Sequence, residues 1–148
     1  MKLATLARLL PLLMAAAPIA QLSAQSLPRG FSEAKVNEYL DARYPHLDAI
    51  YKDIHAHPEL GYAERRTASL LAKEMRALGF EVTEGVGRTG LVAIYRNGPG
   101  PTVMVRTELD ALPLRELTGL PYASQAQTEW NGRETYVMHA CGHDLHMT

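Results

Sequence analysis

Between Tyr62 and Leu78 the chain reads YAERRTASLLAKEMRAL, with Leu71, Met75 and Leu78 on one helical face, charges opposite, and Gly79 placed as the stop. A helix with one apolar stripe must bury it, and the residues that follow supply a surface. FEVT alternates like a short strand, LVAIYR is a more continuous apolar strand, and TVMVRTEL is another, with NGPGP as turn chemistry between the last two. Helix, strand, hairpin and strand in this order predict an α/β or α+β sheet with helices against it.

Upstream, Ser32 is a reasonable N-cap, and Val36 and Leu40 share a stripe that Pro45 is expected to interrupt. Leu47, Ile50, Tyr51 and Ile54 then give a second helical stretch, broken by Pro58 and Gly61. After Pro113, LRELTGLPYASQAQTEWNGRE reads as loop with one short helical turn, and TYVMHA as a last strand that delivers the closing HACGHDLH.

The first 24 residues have the character of an export signal: Lys2 and Arg8 open it, an apolar run extends from Leu9 to Ala20, and small residues surround Ala24. The run is short of the roughly 20 residues of a membrane span and contains Pro11 and Pro18, so a stable span is not expected. Residues 25–31 then form an N-terminal tail, 32–148 the folded part, and the protein is expected outside the cytoplasm, periplasmic or secreted. With 15 basic and 16 acidic residues, charge gives no reason to expect a nucleic acid or an anionic membrane as partner, and a small molecule is the better candidate. One cysteine in an exported chain excludes an internal disulfide, leaving Cys141 free, paired with another chain, or bound to something.

Four motifs bear on the chemistry, and three of them offer candidate site residues. GVGRTG satisfies G-x-G-x-x-G, but its glycines lead into a β-rich run instead of a helix, so it reads as a hairpin connection and not a dinucleotide site. In HAHPELGYAE, His55 and His57 are available for a metal, while Glu59 and Glu64 are placed to oppose the dipole of the following helix. In VRTELDALPL, Glu108 and Asp110 at i and i+2 share a face at the end of a strand, where they would ligate metal, orient a ligating histidine, or pair with Arg106. In HACGHDLH, His139, Cys141 and His143 alternate, so an extended backbone would point all three the same way. A thiolate and an imidazole at that spacing suit zinc or another borderline ion, with Asp144 as tautomer-fixing partner or further ligand. A buried cysteine among incidental histidines and a Cys-His nucleophilic dyad are the competing readings.

IHAHPELGYAE, VRTELDALPL, TGLPYAS and MHACGHDLHMT, in this order and spacing, resemble the N-terminal third of the amidohydrolase branch of metallopeptidase family 20, which contains aminoacylases, hippurate hydrolases and N-acyl-amino-acid deacetylases. The resemblance spans Val36 to Thr148. It implies an α/β, zinc-exopeptidase-like catalytic domain with helices packed on a mixed β-sheet, and an inserted lid or dimerisation domain through which two chains would pair. It assigns Cys141 and His143 to a centre of two divalent ions (Zn, Mn, Co or Ni), with Asp110 beside them. Glu108 stands where many members have aspartate. His139, Asp144 and His146 are candidates for outer contacts to ligands or substrate.

The family's general base and remaining ligands lie downstream of C-G-H-D, so the resemblance implies that the set is completed beyond Thr148 and that this stretch alone is inactive. The expected activity of the complete protein is hydrolysis of an amide bond in an N-acyl amino acid or small peptide-like substrate by metal-activated water. The alternative from another class is a non-catalytic exported fragment or binding module with idle inherited motifs.

Overall fold

The computed structural model describes Gly30 and residues 32–148. The expected export signal at 1–24 and nearly all of the tail at 25–31 lie outside the described residues.

Helix α1 (Glu33–Ala56) starts where the Ser32 hydroxyl accepts the Lys35 N–H at 3.3 Å, as its N-cap position predicts. It is one continuous helix with Pro45 inside it, not two stretches. Proline removes one hydrogen bond and frees the carbonyl four residues back. Here that residue, Asp41, lies on an exposed flank where water can serve as its partner. Burial begins only further along, and the last turns sink Ile54 and His55 into the interior.

Helix α2 (Arg65–Ala77) buries Thr67, Ala68, Leu71 and Ala72, whereas Leu78, expected on the apolar stripe, is the C-cap and 56% exposed. Its first turn has no side-chain cap from Glu64; instead the Glu59 carboxylate accepts the N–H groups of Arg66 at 3.0 Å and Thr67 at 2.7 Å. Two otherwise orphaned donors are thereby satisfied by a negative charge at the positive end of the helix. Gly79, at φ 88°, lets the chain reverse so that Phe80 N–H returns to the Met75 carbonyl at 3.1 Å.

Strands β1 (Glu81–Val86) and β2 (Gly90–Ile94) form an antiparallel hairpin with a bulge between Glu84 and Val86, and α2 lies against both. The G-x-G-x-x-G glycines therefore belong to a hairpin, as their context indicated, with Gly85 at the bulge, Gly87 in the turn and Gly90 opening β2. A Cβ at Gly90 would stand 2.7 Å from the Val86 carbonyl oxygen, which no side chain can yield to. Gly90→Ala is accordingly expected to cost about 1–3 kcal/mol in urea unfolding; a midpoint equal to wild type would show that the hairpin has room to adjust.

Two expectations fail beyond this hairpin. Residues 102–109, expected as a strand, are irregular, with Val103 and Met104 each 83% and Val105 94% exposed. Apolar, β-branched sequence favours a strand only when another chain segment takes up its backbone hydrogen bonds, and none of the described residues does so here. Conversely, the region after Pro113 contains a hairpin, β3 (Gln127–Trp130) and β4 (Arg133–Tyr136). Its turn is Asn131-Gly132 with φ of 52° and 73°, the two-residue geometry that matches strand twist. Thr135 and Tyr136 of the expected TYVMHA strand end β4, after which Met138 makes a single bridge.

Isolated bridges draw the motifs together. Leu60 pairs parallel with Ala111 and Leu112 antiparallel with Met138, so the D-A-L-P segment is held between the H-P-E-L segment and the approach to C-G-H-D. The backbone bonds are short: Ala111 N–H to Glu59 O at 2.8 Å, and Leu112 and Met138 exchanging two at 3.0 Å. Leu60, Ala111 and Val137 form one small core under these bridges; Ile54, Leu71 and Met147 form another, joining α1, α2 and the closing residues. The α/β class holds, with the β1–β2 hairpin against α2, a separate β3–β4 hairpin, and bridges of both senses between the motif segments.

Candidate metal centre

The closing motif is not extended. Gly142 adopts φ 78°, and α3 (His143–His146) is a single helical turn whose Leu145 and His146 N–H groups both bond to the Gly142 carbonyl at 3.1 Å. The alternation of His139, Cys141 and His143 therefore does not place them on one face: His139 is buried, Cys141 is an exposed free thiol, and His143 is half-buried.

His143 Nδ1 lies 2.8 Å from the Asp110 carbonyl oxygen and 3.3 Å from Asp110 Oδ1. A carbonyl only accepts, so Nδ1 carries the proton and, in the neutral ring, Nε2 keeps its lone pair. That is the state in which imidazole binds a metal, with the outer partner fixing the tautomer. Glu108 does not share this task. Its carboxylate accepts Arg106 Nη1 at 2.6 Å, and His146 Nδ1 is 3.9 Å away on an exposed ring.

Asp144 turns the other way. It is 3% exposed and accepts His55 Nδ1 at 2.7 Å, while His55 Nε2 donates to Glu116 Oε1 at 3.1 Å. Glu116 also accepts the Thr118 hydroxyl and, through Oε2, the Ser124 N–H at 2.6 Å. Tyr51 and Tyr122 close over the His55 ring with centroids 5.7 and 5.3 Å from it.

The electrostatics follow from these partners. Burial opposes protonation of His55, but the bonds to Asp144 and Glu116 outweigh it and its pKa is raised. Burial likewise opposes ionisation of Glu116, and the bonds from Thr118, Ser124 and His55 hold its pKa below the usual carboxylate value. Tyr51 is pushed up to about 12, by burial first and then by Tyr122 and Asp144. Burial lowers the pKa of His139, and both of its ring nitrogens lack a partner among the described residues.

A stability profile follows. The His55 contribution is complete below its ordinary 6.5 and is lost as pH rises through the raised folded value; the Glu116 contribution is complete above 4.5 and is lost as pH falls through the depressed one. The stabilisation from this pair is therefore greatest between those two ordinary values. Thermal melts should show Tm declining as pH rises from about 6.5 to 9, and a Tm increasing across that range would contradict a charged His55.

Cys141 and His143 supply the sulfur and nitrogen donors that a borderline divalent ion takes, and the held His143 tautomer fits that use. Among the described residues no three His, Cys, Asp or Glu side chains converge on one point. Sequence reading missed Glu116 altogether and left His55 between a metal ligand and a structural junction; its place is inside the network behind α3.

No family model matches the chain. It is 42% identical over 103 residues to the hippurate hydrolase of Campylobacter jejuni, covering 69% of this chain and 25% of that protein. It is 41% identical over 102 residues to the N-acetyldiaminopimelate deacetylase of Listeria innocua, covering 68% and 25%. The YXEP protein of Bacillus subtilis, a dinuclear metal binding peptidase from the M20 family, superposes with a TM-score of 0.61 at 33% identity, covering 72% of this chain and 28% of that one. The chain thus spans about a quarter of the length of the curated relatives it matches. Its fold is that of an α/β catalytic-domain portion. Over the matched residues the chain is similar to the N-terminal part of amidohydrolases and of a peptidase of the M20 family.

Proposed function

We propose that the complete protein is a metal-dependent amidohydrolase that cleaves the amide bond of N-acyl amino acids or small peptide-like substrates. The observation that carries this reading is His143, its Nδ1 held by the Asp110 carbonyl and its Nε2 without a hydrogen-bond partner among the described residues, two residues from an exposed thiol. Relatives named for hydrolysis of hippurate and deacetylation of N-acetyldiaminopimelate, both N-acyl amino acids, support the substrate class.

In this reading Cys141 and His143 hold the ions, and Asp110 holds the His143 ring. Divalent ions bound there would supply Lewis acidity, polarising a carbonyl and lowering the pKa of water. Asp144 is a positioning group in this reading, buried with its Oδ2 accepting from His55. His146, exposed at the open side of α3, is a candidate for substrate contact. The basic opening and apolar run at the N-terminus support export, and no helix among the described residues is long and apolar enough to cross a membrane.

The test is metal analysis of the protein at its full natural length, followed by assay of amine release from N-benzoylglycine and N-acetyl amino acids before and after chelation. Bound divalent metal, activity lost on chelation and its return with added metal are expected. Hydrolysis that survives complete removal of metal, or metal-loaded protein inert towards every N-acyl amino acid, would overturn the proposal.

A further inference from the structure

His55 has no part in the roles given so far to Cys141, His143 and Asp110, yet it is 6% exposed and its two ring nitrogens both meet carboxylates. Ionised carboxylates only accept, so a ring bonded to two of them donates from both nitrogens. We propose that His55 is a positioning residue for the metal-binding turn, an imidazolium strut that fixes the backbone carrying His143 by bonding Asp144 on one side and Glu116 on the other.

The geometry supports more than incidental burial. A single turn cannot hold its own shape, since nucleation costs more than its few hydrogen bonds return. Asp144 is the one buried residue within α3, and it stands next to His143. Whatever anchors Asp144 therefore also sets the direction of the neighbouring imidazole. His55 is well suited to be that anchor. It lies in the last turn of the 24-residue α1, beside Ile54 at 0% exposure, and so belongs to a firmly seated end of that helix. Its far side is braced by Glu116, itself tied to Ser124 N–H at 2.6 Å. Asp110 then holds the His143 ring directly, so the ligand is fixed through its ring and through its backbone by separate routes. The two carboxylates and one imidazolium also leave one net negative charge behind the turn, which favours a cation in front of it.

This inference rests on the metal-binding reading of Cys141 and His143. Its test is cobalt(II) binding to the full-length metal-free protein, with wild type, His55→Ala and His55→Gln compared by chelator competition and by the cobalt absorption spectrum, well below each melting temperature. Glutamine retains an amide donor at similar reach. Loss of an outer partner weakens metal binding by about 10–100-fold, and His55→Ala is expected to fall in that range with altered cobalt bands, His55→Gln recovering part of both. A lower Tm with wild-type cobalt affinity and spectrum would make His55 merely structural and overturn the inference alone. Failure of both variants to fold would do the same. A wild-type protein that takes up no cobalt would overturn the metal-binding reading itself, and this inference with it.

Discussion

Cys141→Ala is expected to strip the complete protein of metal at concentrations that saturate the wild type. Loss of an outer partner of a metal ligand costs about 10–100-fold in affinity, and loss of a donor atom should exceed this. The thiol is exposed and free, so alanine leaves no cavity and no buried polar group behind. Folding should therefore be little changed, and chelator competition would read the site instead of the fold. Unchanged metal occupancy would remove Cys141 from the ligand set. The nucleophilic-thiol alternative makes the opposite prediction: alkylation abolishes activity while metal is retained. Measuring occupancy and activity on the same alkylated sample separates the two.

Glu116→Ala is expected to lower stability by about 3–5 kcal/mol, the scale for removing one partner of a buried ion pair. The carboxylate is 6% exposed and accepts His55 Nε2, the Thr118 hydroxyl and the Ser124 N–H, so alanine leaves the buried Nε2–H of a cation held by Asp144 alone, and a buried amide, without acceptors. Glu116→Gln keeps an acceptor oxygen and should lose less. Urea unfolding of the three proteins gives the comparison. A Glu116→Ala loss under about 1 kcal/mol would mean that His55 is not charged in the fold.

The two effects differ in how far the sequence foretold them. Cys141 and His143 stand out in the sequence as candidate donors because N and S atoms at short spacing have few other uses, and α2 was legible because its period and its Gly79 stop agree. The β1–β2 hairpin was readable for a similar reason, since its glycines lead into β sequence. Local signals misled where distant partners decide. Pro45 looked like a break but lies on a flank that tolerates one, and 102–109 looked like a strand but lacks a neighbour to bond. The Asn131-Gly132 turn was a readable signal passed over within a stretch rich in polar residues. The alternation in HACGHDLH misled because Gly142 enters the left-handed region and starts a helical turn. Nothing local marks Glu116 as the partner of His55, because the pair is 61 residues apart.

The span of these contacts carries an entropic consequence. The Glu116–Ser124 bond closes a separation of 8 residues, whereas His55–Asp144 closes one of 89. Loop closure scales with the logarithm of length, so for a bare chain the longer contact costs about 2 kcal/mol more. Helices and hairpins between its ends shorten the effective loop, and that difference shrinks as they form. The turn bearing His143 thus owes its place to the assembled fold more than to its own neighbours in sequence.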